Sequence, residues 1–277
     1  VQLEQSGSVE EFQAHVVEFY REFGVGRFGL NKAFRINETS GGTDIIPITS
    51  IEHVYLKDLG GYEIQKRKLI DNTEAFIQGR AANNVLLFGD GGTGKSATVK
   101  SMLYLPGMEN LRLIEIQKEN LVGMPRLIRS LAGRRQSFIL FIDDLSFLKD
   151  DDNFNALKAV LEGSVTAKSQ NVAIYATSNR RHIIKEKFSD REGDDIHRND
   201  TMQELASLSE RFGIHVTFSK PNKDTFLHIV RHLAEENGID MPTQELELLA
   251  ERFALERGNR SARLARQFID GLLSKAE

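Results

Sequence analysis

Short, nearly continuous apolar runs punctuate the middle of the chain. They are Asn84-Val-Leu-Leu-Phe88, Leu111 to Ile116, Phe138 to Ile142 and Val172 to Thr177. A run of this length without alternation predicts a strand covered on both faces, as in a parallel sheet flanked by helices. Helical periodicity fills the gaps, for example Phe154, Leu157 and Leu161 ending at Gly163. With a last short strand near Val216 to Phe218, this alternation predicts a doubly wound α/β domain around a five-stranded parallel sheet.

Beyond that strand the pattern is wholly helical. Pro221-Asn222 opens a helix with Phe226, Ile229, Val230 and Leu233 inward, and Pro242-Thr243 opens another with Leu246, Leu249 and Phe253 inward. A third, from about Ser261, buries Leu264, Phe268 and Leu272. At the other end, Ser8 and Glu11 have capping-box spacing, and Phe12, Val16, Phe19, Tyr20 and Phe23 share one face until Gly24 and Gly26. This helix is expected either to pack on the main domain or to dock a partner or neighbouring subunit. The turn-rich stretch Asn37 to Gly42 reads as a linker. The expected division is an N-terminal extension over 1–44, the α/β domain over 45–219 and a helical lid over 220–277.

Composition narrows the classes. With 277 residues, 40% hydrophobic and 27% charged, the chain has enough material for a sizeable core. The apolar run Phe138 to Ile142 is far too short to cross a bilayer, so no membrane is expected. The opening VQLEQSGSVEEF has no basic region followed by an apolar stretch, so no secretory signal is expected and the cytoplasm is the expected compartment. Absence of cysteine excludes disulfides, thiolate nucleophiles and cysteine-based zinc sites. The histidines show no H-x-x-x-H spacing, so a zinc site is not expected. A formal net charge of −4 makes nucleic acid a less favoured partner.

The chemistry concentrates in GDGGTGKS, Gly89 to Ser96, which fills the P-loop pattern between a predicted strand and a predicted helix. Gly89, Gly91, Gly92 and Gly94 let the loop curl and turn N–H groups toward phosphate oxygens, with Asp90 and Thr93 between them. Lys95 would reach the β- and γ-phosphates of ATP, Ser96 would set its hydroxyl on Mg²⁺, and Ala97 opens the helix whose dipole favours anions. Phe138 to Ile142 runs straight into Asp143-Asp144, a Walker B arrangement. Asp143 would hold the metal and Asp144 would orient or deprotonate the attacking water. Aspartate is one methylene shorter than glutamate, so hydrolysis at Asp144 is expected to be slow or to await a geometric trigger. Asp150-Asp151-Asp152 reads as a turn and helix-cap cluster, and Ser189 to Asp200 as a surface loop or a pore or interface segment.

With these motifs in place, residues 45 to 277 resemble an AAA+ ATPase. Asp58-Leu-Gly-Gly-Tyr62 resembles the segment bordering adenine, which implies Gly61 and Tyr62 at the base. Ala176-Thr-Ser-Asn179 resembles sensor 1, making Asn179 a partner of the γ-phosphate or the water. Leu208-Ser-Glu-Arg-Phe-Gly213 resembles the box carrying the arginine finger, which would make Arg211 a cation acting on a neighbour's nucleotide; Arg180 and Arg181 are rivals. A purely local reading instead pairs Arg211 with Glu210 or Glu204. Arg263 stands where sensor 2 is expected, with Arg260 its rival. NNVLLFGDGGTGKS, FIDDLSF, ATSNRRH and ARQFID look like a bacterial AAA+ family catalogued as a domain of unknown function, and the boxes also resemble replication initiators and helicase loaders. The resemblance implies an AAA+ P-loop NTPase, a three-layer α/β domain followed by a small helical lid. It further implies ATP and ADP with Mg²⁺, a homo-oligomeric ring or helix, and hydrolysis coupled to remodelling a macromolecule, protein before nucleic acid. The alternative is a nucleotide-dependent switch or loader with little turnover.

Overall fold

The computed structural model describes residues 5–23, 26–39, 42–49, 55–145, 152–163, 169–179 and 208–276. Among these, the apolar runs form strands β3 (Val85–Gly89), β4 (Leu111–Ile116), β5 (Ser137–Ile142), β6 (Val172–Ser178) and β7 (Ile214–Phe218), preceded by β1 (Ala33–Thr39) and β2 (Gly42–Pro47). One sheet contains them all, in the order β2-β1-β4-β5-β6-β3-β7. The expected five parallel strands are its core. The last of them, β7, lies beside β3 and runs parallel to it.

The sheet is wider than expected. The stretch read as a linker, Asn37 to Gly42, instead carries the end of β1 and the start of β2. The two strands pair antiparallel from Phe34 opposite Pro47 to Thr39 opposite Gly42, and β1 adds in parallel to the edge of β4. Alternation was the overlooked signal. Phe34 and Ile36 are buried while Arg35 and Asn37 are exposed, a period-2 pattern that turn residues disguise.

Helices α1 (Val9–Phe23), α2 (Arg27–Leu30), α3 (Glu63–Ile77), α4 (Lys95–Ser101), α5 (Met124–Leu131) and α6 (Asp152–Leu161) accompany the sheet. Strand parity sorts the core into two layers. Phe138, Leu140 and Ile142 of β5 face a cluster with Leu127 of α5 and Leu157 of α6, while Ile139 and Phe141 face Leu69 of α3 and Val99 of α4. The result is the expected three-layer arrangement. Helices α7 (Lys223–Glu236), α8 (Thr243–Glu256) and α9 (Ala262–Ala276) enclose a separate core that includes Phe226, Leu246 and Phe268. Their starts follow the capping signals: Asn222 Oδ1 accepts from Thr225 N–H at 2.8 Å and Ser261 Oγ from Leu264 N–H at 3.1 Å.

The N-terminal helix departs from the first of its two expected readings. Ser8 Oγ caps Glu11 N–H at 3.1 Å, and the Glu11 carboxylate reaches back to Gly7 N–H at 2.9 Å. Yet no described side chain of α1 is buried, and Val9, Phe12, Val17 and Tyr20 are exposed. No helix among the described residues is long and apolar enough to cross a membrane.

A buried polar clamp fixes α3 against the sheet. Tyr175, fully buried in β6, donates its hydroxyl to Thr73 Oγ1 at 2.8 Å and accepts from Asn72 Nδ2 at 2.9 Å. The Thr73 hydroxyl is itself committed to Leu69 O at 2.7 Å, which settles the direction of that bond. Asn72 also pairs with the Asn83 backbone, just ahead of β3. Replacing Tyr175 by Phe removes one oxygen from a closed, dry network, so Tyr175→Phe is expected to lose about 1–3 kcal/mol of stability. Urea unfolding of both proteins measures this, and an unchanged midpoint and slope would rule the clamp out as a stabilising element.

Candidate functional site

The P-loop leaves β3 at Gly89, where the backbone has φ 137°. A Cβ there would lie 2.0 Å from Phe218 O of β7, so only glycine allows the two parallel strands to end side by side. Beyond Gly91 and Gly92 the chain enters α4 at Lys95, with Thr93 Oγ1 tied to Asp90 O at 2.9 Å and Ala97 in the first helical turn. The loop thus folds as expected, between a strand end and a helix start.

Lys95 is buried and all its donors are occupied. Its Nζ donates to Gly89 O at 2.9 Å, Asp90 O at 2.7 Å and Asn179 Oδ1 at 3.0 Å. Burial pulls its pKa down, the carboxylates of Asp143, Asp90 and Asp144 oppose that shift, and Arg263 adds to it. The groups that act on the ammonium thus include Asp143, Asp144, Asn179 and Arg263, read from sequence as metal, base and sensor residues.

Strand β5 delivers the acidic pair. Asp143 Oδ1 accepts from Ser96 Oγ at 2.6 Å and from Thr177 Oγ1 at 2.5 Å. Asp144 takes a left-handed backbone, φ 56°, and its carboxylate accepts from Asn179 Nδ2 at 2.8 Å. Asn179 therefore bridges Lys95 and Asp144 with its two amide ends. Ser96 and Asp143 offer hard oxygen donors in contact, the donor type Mg²⁺ takes beside phosphate oxygens and water. The donor set fits the expected metal.

The lid closes the other side. Arg263 N–H donates to Gly92 O at 3.1 Å, and a Cβ on Gly92 would meet the Arg263 Cβ at 3.2 Å. Its rival Arg260 is engaged within the lid, in a two-pronged ion pair with Glu251 of α8 at 3.0 and 2.9 Å. That pair raises the Arg260 pKa and lowers that of Glu251. A cavity of about 40 Å³ lies between Leu59, Gly60, Tyr62 and Thr98 on one side and Ile229, Leu233 and Ala262 on the other. Gly61 packs a Cβ position 3.2 Å from Thr225 of α7. Tyr62 has φ 61°, donates its hydroxyl to Ser219 O at 2.7 Å and lies 5.0 Å from the Phe218 ring. Burial, helped by the Asp90 charge, pushes its pKa up to about 12, so it stays a neutral donor.

Arg211 lies elsewhere. It precedes β7, at the edge where strands begin, whereas the P-loop stands where β3 and β7 end. Four steps along β7 span about 13 Å. Among the described residues, Arg211 Nη2 pairs with Glu162 Oε1, just after α6, at 2.8 Å, an acid to which the sequence did not point. Glu204, Arg180, Arg181, Asp150, Asp151 and the segment from Ser189 to Asp200 lie outside the described residues; Asp152 opens α6. Thr177 is the side chain in this array to which the sequence assigned nothing. Its position two residues before Asn179, and so on the same strand parity, was the available signal.

Three solved structures have a similar fold. Thermotoga maritima RuvB, described as a Holliday junction branch migration motor, is 19% identical with a TM-score of 0.54, over 76% of this chain and 61% of that one. Aeropyrum pernix ORC1, solved with DNA, is 17% identical with a TM-score of 0.53, over 79% of this chain and 61% of that one. The E. coli MS115-1 HORMA:CdnC:Trip13 complex contains a chain 13% identical with a TM-score of 0.51, over 78% of this chain and 89% of that one. The chain thus spans about three fifths of the RuvB and ORC1 chains. No curated protein matches it. At these identities the likeness is one of fold alone. The family model that covers nearly all of the sheet and lid is the one described as Protein of unknown function (DUF815), matched over residues 30–276, and the chain belongs to that family.

Proposed function

We propose that this protein is a Mg²⁺-dependent ATPase that works as an oligomer and couples hydrolysis to remodelling a macromolecular partner, in the first place a protein. One observation carries the reading: a continuous hydrogen-bonded array joins Lys95, Asn179, Asp144, Thr177, Asp143 and Ser96 at the edge where β3, β5 and β6 end. Each member has the chemistry its place requires. Incoming phosphates replace the backbone carbonyls on Lys95, so the ammonium exchanges neutral acceptors for charged ones. Ser96 and Asp143 hold the metal, whose charge would offset that developing on the β- and γ-oxygens. Asp144 accepts a proton from the attacking water as ATP becomes ADP and phosphate. Asn179 orients that water or the γ-phosphate.

The lid supplies the base site and Arg263. The cavity of about 40 Å³ beside Tyr62 is too small for a purine, so the nucleotide enters by moving α7 and α9 away from Gly60. Nucleotide state then biases the lid angle, because ATP and ADP differ in what they offer Arg263. Arg211 belongs to a second subunit's site. It stands at the opposite sheet edge from its own P-loop, which supports a trans role and therefore a ring or helical assembly.

A second reading is a switch or loader that turns over rarely. It is favoured by the hold of Asn179 on Asp144, which keeps the shortened base engaged until the γ-phosphate competes for Lys95 and Asn179. Among macromolecules, the net charge of −4 favours protein. Nucleic acid stays as the second arm of the test, because Arg126, Arg129, Arg134 and Arg135 are all exposed on α5 and the turn after it.

ATPase rate and oligomeric state, measured together over a range of protein concentrations with and without single-stranded DNA, separate these readings. Turnover that rises with assembly supports the proposal; concentration-independent turnover without any oligomer in ATP defeats the trans role. Asp144→Asn is expected to bind ATP as the wild type does and to lose about 10²–10⁴-fold in turnover. Full turnover in that variant would remove Asp144 as the base. Arg211→Ala should bind ATP normally yet lose about 10³-fold or more of the assembly-dependent rate. A variant that assembles and hydrolyses at the wild-type rate would return Arg211 to a structural partner of Glu162.

A further inference from the structure

Thr177 is 2% exposed, and its hydroxyl is used in both directions. It donates to Asp143 Oδ1 at 2.5 Å and accepts from Asp144 N–H at 2.9 Å. The backbone of the same residue adds a third hold, since Thr177 O accepts from Leu145 N–H at 2.6 Å. One residue of β6 therefore grips three successive residues at the end of β5.

The middle residue needs that grip. Asp144 has φ 56°, a left-handed conformation that aspartate tolerates better than most residues yet still adopts at some cost. Asp143 needs it for another reason. Both hydrogen bonds given to its carboxylate fall on one oxygen, Oδ1, and one donor is Ser96, the hydroxyl assigned to the metal. A carboxylate with only the Ser96 contact would be free to rotate about its last bond.

We propose that Thr177 is a positioning residue for the acidic pair. Its hydroxyl fixes which oxygen of Asp143 faces Ser96, and its acceptance of the Asp144 N–H holds the turn that aims the Asp144 carboxylate at Asn179. This rests on the reading of Asp143 as metal holder and Asp144 as base. A threonine that merely filled space would contribute through its methyl group, which valine keeps. Valine, though, leaves the Asp144 N–H without its partner and Asp143 with one donor fewer, so the two roles separate experimentally.

The test compares full-length wild type, Thr177→Val and Thr177→Ser. Melting temperature is measured first, then the Mg²⁺ dependence of binding a fluorescent ATP analogue, then kcat and KM for ATP. Thr177→Val should need about 10- to 100-fold more Mg²⁺ for half-maximal binding and lose kcat, with KM at saturating Mg²⁺ little changed. Thr177→Ser keeps the hydroxyl and should restore the wild-type Mg²⁺ curve. If Thr177→Val does not fold, Thr177→Ala, which leaves the same donors unpaired in a looser site, is read the same way. A wild-type Mg²⁺ curve in a folded Val or Ala variant, or a Ser variant as impaired as Val, overturns the proposal. Wild type that binds the analogue with Mg²⁺ but never hydrolyses defeats the ATPase reading alone, and the Mg²⁺ comparison still decides Thr177. Wild-type binding indifferent to Mg²⁺ overturns the roles of Asp143 and Thr177 together.

Discussion

Ile142 stands opposite Ala176 and Phe88 opposite Ser178, so β5, β6 and β3 run out at nearly one level. Everything in the site hangs from that register. The residues that follow each strand, Asp143-Asp144, Asn179 and the P-loop, meet because their strands are neighbours and end together. A slip of one residue in β5 would turn Phe138, Leu140 and Ile142 to the other layer, so the two hydrophobic cores hold the register against exchange. Packing thus does the positioning, and hydrogen bonds do the fine alignment.

The lid is coupled to the same edge by backbone contacts. Gly92 O accepts from Arg263 N–H, and the carboxylate of Asp90 accepts from Lys220 N–H at 3.1 Å where the chain passes from β7 toward α7. The Tyr62 hydroxyl, bonded to Ser219 O, ties the opposite wall to that connection. A change at the P-loop therefore meets the lid at several points with little slack. Such short connections leave the P-loop and the lid little room to move independently.

Electrostatics set the resting state of the site. Lys95 is desolvated yet remains surrounded by carboxylates, and each of its bonds goes to an acceptor that a phosphate can replace. Asn179 spends one end on Lys95 and the other on Asp144. The array is closed on itself, which avoids a bare buried charge. Arg211 is likewise provided for, since Glu162 pairs with it at the end of β7 away from the P-loop.

Much of this is legible in the order of residues alone. Glycines at 89, 92 and 94, a lysine and a serine after an apolar strand specify a phosphate loop because backbone freedom and helix-end amides are local properties. The five parallel strands and the lid helices follow from periodicity and capping residues, which are local too. The hairpin was missed because Asn37, Gly41 and Gly42 spoke louder than the short alternation around them. The ion pair that occupies Arg260 and the pairing of Arg211 with Glu162 could not be read, because each depends on which distant segments the fold brings together. Thr177 shares strand parity with Asn179, but its partners on the neighbouring strand depend on that same assembly. By itself, then, the sequence determined the kind of chemistry and the elements that carry it. Only the tertiary structure decided which side chains share that chemistry, since a hydrogen bond between adjacent strands is set by packing across the sheet and leaves no mark in the order of residues along one strand.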